Sequence, residues 1–203
     1  MEETKPDTRV MRKNNQLDEH ARLELEKALR TYPAEVGDGP FEKEQQLLAL
    51  LPLTFQRDRK ISQLENYLEI VRWKSPRSAG KYAERDISKV RRQSRKAFEF
   101  ARAGRLSQAL DALVSPRLKG VGVRMATAIL MFYDPDQFTV MDINAWLSLV
   151  HLGVLDAFEC GWEETEDYKV YQEACHSTKR WFRHSLRDTD RALWTLGALM
   201  GRV

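Results

Sequence analysis

The stretch Leu118-Lys119-Gly120-Val121-Gly122-Val123-Arg124-Met125-Ala126-Thr127-Ala128-Ile129-Leu130, followed by Phe138-Thr139-Val140-Met141-Asp142, decides how this chain reads. Two glycines flank a valine, so the backbone can turn tightly there at little steric cost. Behind them Met125, Ala128, Ile129 and Phe132 recur at helical spacing, and ahead of them Leu106, Leu110 and Leu113 mark an earlier helix. The pattern is helix, short glycine hairpin, helix. The second helix opens with backbone N–H groups that have no carbonyl one turn earlier, and such groups suit a phosphate oxygen. A main-chain grip of this kind is indifferent to base sequence.

Outward from the hairpin the chain is helical throughout. Residues 1–16 read as a disordered lead. Asp18 to Arg30 predicts an amphipathic helix with Leu17, Ala21, Leu25 and Ala28 on one face. Tyr32 to Pro40 holds two prolines and two glycines and predicts a loop. Phe41 to Leu51 predicts a helix that stops at Pro52, and Ile61 to Trp73 another, with Leu64, Tyr67, Leu68 and Val71 buried. Ser75 to Gly80 breaks the pattern. Tyr82 to Ala103 follows as a helix with Ile87, Val90, Ala97 and Ala101 inward, five cations between Lys89 and Lys96, and Gly104 as its stop. Past the hairpin helix, Asp134-Pro135-Asp136 is a turn signal. Ile143 to Leu152 predicts a helix with Asp142 at its edge, and Gly153 to Thr165 an irregular acidic segment. Asp167 to His184 and Asp188 to Met200 complete the helices. No alternating strand pattern of useful length occurs, so the expected fold class is all-α.

The 203 residues carry a formal net charge of +3 and suffice for a substantial core in one domain, residues 17–203, or in two small lobes. The charge is unevenly spread: Arg57 to Arg105 holds 15 Lys/Arg against 6 Asp/Glu, which leaves the remainder acidic. One basic face is the functional implication, and a set of solvated helix surfaces is the plainer one. The two cysteines, Cys160 and Cys175, are too few for a four-cysteine iron–sulfur site or a disulfide framework. Reduced thiols in a cytoplasmic protein, with Cys175 in the core, are expected. No apolar run is long enough to span a bilayer, and the N-terminus lacks the apolar centre of a signal peptide. His151, His176 and His184 have no companions at ligand spacing, so no metal is expected, and no other cofactor.

The hairpin and the run after it resemble the helix-hairpin-helix DNA glycosylase superfamily, which includes endonuclease three, the adenine glycosylases and the 8-oxoguanine glycosylases. The family hairpin reads Leu-Pro-Gly-Val-Gly. Here it is Leu118-Lys119-Gly120-Val121-Gly122. In the family a helix, a loop and a short apolar run lead to an essential aspartate, which matches Phe138-Thr139-Val140-Met141 and Asp142. The likeness covers about Leu106 to Leu152. It implies two small helical lobes with a cleft between them, a monomer that binds double-stranded DNA carrying a modified base, and a nucleoid-associated location. Lys119 replaces the hairpin proline and adds a cation there. Arg124 stands where bifunctional members place a lysine that attacks the sugar. A guanidinium stays protonated and cannot be that amine, so the sequence fits the monofunctional pattern.

Asp142 is the expected catalytic residue, although an aspartate before a helix also serves simply as its N-cap. Lys119, Gly120, Val121, Gly122 and Arg124 are expected at the DNA backbone. Arg72, Trp73, Lys74 and Arg77 are candidate contacts as well. In the superfamily their region supplies the side chain that fills the gap left by the flipped nucleotide, although Trp73 also reads as partly buried core. Tyr168, Tyr171, Trp181 and Phe182 lie at a spacing that predicts core before it predicts a stacking wall for a base. A non-catalytic DNA-binding protein of the same fold is the alternative, and an interaction scaffold that binds no DNA a third.

Overall fold

A computed structural model of the chain describes residues 19–76, 83–156 and 165–201. The disordered lead expected at 1–16, much of the acidic segment after Gly153, Cys160 and Arg77 lie outside them. Among the described residues there are nine α-helices and no strand: α1 (Glu19–Val36), α2 (Asp38–Asp58), α3 (Leu64–Lys74), α4 (Ile87–Arg102), α5 (Leu106–Asp111), α6 (Val123–Tyr133), α7 (Ile143–His151), α8 (Thr165–Phe182) and α9 (Leu186–Met200). The all-α expectation is met. None of these helices is long and apolar enough to cross a membrane.

The first two helices correct the sequence expectation. The loop expected over Tyr32 to Pro40 is a single break: α1 runs on through Pro33 to Val36, and Gly37 turns the chain at φ 85. Pro40 falls in the first turn of α2, where its missing N–H costs nothing. Nor does α2 stop at Pro52. Leu47, Leu51 and Phe55 form a continuous buried stripe on either side of it. Burying Leu51 and Phe55 is worth about 1.5–3 kcal/mol each, enough to offset the roughly 3 kcal/mol that an interior proline costs a helix. The helix ends instead at Arg59, which takes the left-handed conformation at φ 55.

The remaining helices follow their expected stripes. Asp86 caps α4 by accepting from the Ser88 and Lys89 amides, and Gly104 turns the chain after it at φ 69. α6 is the most enclosed: Ala126 to Tyr133 are all buried, with α2 and α3 packed on it. α9 packs on α1 and on α7. At that second crossing a Cβ on Gly197 would sit 2.0 Å from the Asn144 carbonyl oxygen, so only glycine lets the two backbones approach so closely.

Candidate active site

The hairpin forms as its glycines suggest, but for two different reasons. Gly120 adopts φ 74, a left-handed conformation that a side chain would strain. Gly122 does not. It is extended, at φ −92 and ψ 179, and a Cβ there would meet nothing within 4 Å. Turn geometry therefore explains the first glycine, while the second leaves a bare, exposed backbone at the start of α6. Lys119, Gly120, Gly122 and Arg124 are all exposed, and Val121 is buried beneath them. Two hairpin amides are already engaged: the Lys119 N–H donates to Glu84 Oε2 at 3.4 Å and the Val121 N–H to the Leu118 carbonyl at 3.2 Å. Glu84 also accepts from the Arg85 and Asp86 amides and pairs with Lys89 Nζ at 2.9 Å. The Lys89 ammonium, aided by those amides, outweighs burial and holds the Glu84 carboxyl down at about 2.

Asp142 caps α7, its Oδ1 accepting from the Asn144 amide at 3.1 Å. Its other oxygen, Oδ2, accepts from Lys74 Nζ at 2.8 Å, in a pair whose side chains are 15% (Lys74) and 22% (Asp142) exposed. The extended run before Asp142 is held on both sides. The Met141 amide donates to Thr127 Oγ1 on α6 at 3.0 Å. From α8, the Tyr168 hydroxyl donates to the Thr139 carbonyl at 2.8 Å and the Tyr171 hydroxyl to the Val140 carbonyl at 3.0 Å. Tyr168 and Tyr171 are thus core residues, as their spacing predicts, and they fix the backbone that presents Asp142. Burial pushes both phenols well above their usual range, so they remain neutral donors.

Two cavities open on either side of the Lys74–Asp142 pair, and these two residues line both. The first, about 340 Å³, lies against the hairpin and is bounded by Gly120, Gly122, Val123, Arg124, Tyr67 and Ser75. The second, about 200 Å³, is walled by Tyr32, Trp73, Trp194, Arg187, Asp190 and Arg191. Beneath the second cavity lies a charged cluster. Glu44 of α2 accepts from Arg187 Nε at 2.8 Å, Arg191 Nη2 at 2.7 Å and the Tyr32 hydroxyl at 2.5 Å. Arg187 also pairs with Asp190 and stacks on Trp73 at 5.3 Å. Burial alone would raise the Glu44 carboxyl, but the two guanidiniums win and lower it to about 2. For Asp190 burial wins, and its carboxyl is raised.

The residues expected beside the hairpin lie apart in the fold. Lys74 joins Asp142. Trp73, half-buried, packs edge-on to Phe132 at 5.0 Å and forms a wall of the second cavity. Arg72 points away into ion pairs with Glu65 and Glu69. Among the described residues no group of three or more His, Cys, Asp or Glu is placed to hold a metal. The sequence hid two features of the site. Lys74 and Asp142 are 68 residues apart with no local pattern to link them, and the Glu44–Arg187 contact spans 143. Comparison with protein-family models, with curated proteins and with solved structures gave no match.

Proposed function

We propose that the protein is a DNA glycosylase of the helix-hairpin-helix kind, with two helical lobes about a cleft, that hydrolyses the N-glycosidic bond of a damaged or modified base and leaves the strand intact. The observation that carries this reading is the placement of Asp142: a fixed, half-buried carboxylate that lines both a cavity bounded by exposed hairpin backbone and a second one with aromatic walls. A backbone phosphate would rest on the hairpin, the sugar beside Asp142 and an extruded base in the aromatic cavity. As the base departs, positive charge builds on the sugar ring, and a preorganised carboxylate stabilises it. The same carboxylate orients the attacking water. Arg124 supplies no amine, and Lys74 Nζ is engaged by Asp142 Oδ2.

The fold without the chemistry, a DNA-binding protein, remains the competing function. A panel of duplexes, each carrying one modified base, followed by alkaline cleavage at abasic sites, decides between them. A glycosylase makes at least one duplex alkali-labile. Binding without release from any duplex selects the non-catalytic alternative.

A further inference from the structure

Lys43, Arg57, Arg72, Lys74, Lys89, Lys169, Arg187 and Arg191 all sit in ion pairs. The exposed face of α4 gathers cations that do not. Its opposite face is buried through Val90, Ala97, Phe98 and Ala101, and Arg91 is spent on the Ser62 carbonyl at 2.7 Å. Arg92, Arg95 and Lys96 are exposed in mid-helix, and among the described residues none of them has an ion-pair partner. Arg92 lies three residues before Arg95 and four before Lys96, where like charges weaken a helix by about 0.2–0.5 kcal/mol a pair. The start of α4 is fastened to the hairpin, since Glu84 Oε2 holds both Lys89 Nζ and the Lys119 amide. Arg92 to Lys96 then follow within about 10 Å of Lys89 along the helix axis.

We infer that Arg92, Arg95 and Lys96 form a second nucleic-acid contact, which tracks the phosphates of a DNA duplex beyond the point where the hairpin grips it. Charge complementarity selects a polyanion. A bilayer is disfavoured because the apolar face of α4 is already buried in the core and is not available for insertion. An acidic protein partner is disfavoured because the large exposed apolar residues, Leu23, Leu50, Leu53, Leu147 and Met200, all lie on other helices and leave no apolar anchor here. Duplex DNA as the polyanion rests on the function proposed above, whereas the strip itself does not.

The test is a salt series of equilibrium binding to a short unmodified DNA duplex, with the full chain and with the triple variant Arg92→Ala, Arg95→Ala, Lys96→Ala. Each phosphate contact contributes about 0.9 to the slope of log affinity against log salt, so the slope should fall by between two and three. Helicity and melting temperature should hold or rise, because alanine removes the repulsion. An unchanged slope overturns the surface, and if base release persists it does so without touching the glycosylase proposal. A reduced slope in a protein that releases no base upholds the surface and removes the enzyme. Tighter binding of the wild type to anionic lipid vesicles or to duplex RNA than to the DNA at equal salt overturns the choice of DNA.

Discussion

Asp142 has its two oxygens on different partners, one on the start of its own helix and one on Lys74. Capping and catalysis are compatible because the cap uses Oδ1 and leaves Oδ2 to Lys74, where Asp142 lines both cavities. Lys74 is then the residue that orients this oxygen, and it is also the amine nearest to the proposed reaction. Imine formation needs a neutral amine with a free lone pair. Borohydride added during turnover should trap no protein–DNA adduct with the wild type, and the product strand should break only under alkali. An adduct that forms in the wild type and disappears in Lys74→Met would assign lyase chemistry to Lys74 and end the monofunctional proposal. The resemblance raised Arg124 for this question because it stands where bifunctional members place their lysine, and it left Lys119 and Lys74 as the other amines. Of these, Lys74 reaches Asp142 from α3, through tertiary packing that local pattern does not encode.

At the scale of elements, periodicity located α3 and α6 to α9 well, because each has a continuous apolar stripe and most have a capping or stop residue, whereas α4, expected from Tyr82, begins only at Ile87 because Asp86 caps it there. It failed where prolines stood: Pro33 and Pro52 lie inside helices that packing holds together. It was also silent on how α7 meets α9. There Gly197 lies against the Asn144 backbone, and Asn144 donates the amide that Asp142 caps. Gly197→Ala should force the helices apart and cost about 1–3 kcal/mol, as overpacked cores do. Because the displacement begins two residues from Asp142, base release should fall by more than duplex affinity does. Thermal melting together with single-turnover rates would check both, and a fully active, equally stable variant would show that the crossing does not position the site.

At the scale of the molecule, the Glu44 cluster joins α1, α2 and α9 beneath the aromatic cavity. Composition shows the charges but not that these two arginines converge on one buried carboxylate. Glu44 is held at about 2 in the fold against an ordinary 4.5, so the stability it contributes is complete above about pH 4.5 and is lost as pH falls towards 2. Asp190, raised by burial, works in the opposite sense and partly offsets this loss. Glu44→Gln should cost about 3–5 kcal/mol at neutral pH, as breaking a buried pair does, and its melting temperature should fall less steeply in acid than that of the wild type. Parallel acid profiles would place the acid sensitivity elsewhere. The all-α architecture, the hairpin and the cap at Asp142 were legible in the sequence because each is local. The cavities were not, since they lie between helices distant in the chain. Asp142→Asn tests the proposed chemistry most directly, in single-turnover release from whichever duplex the wild type renders alkali-labile. The amide can still cap α7 but carries no charge. Release should drop by at least about 100-fold while duplex affinity changes little. Release at the wild-type rate would contradict a catalytic carboxylate at this position.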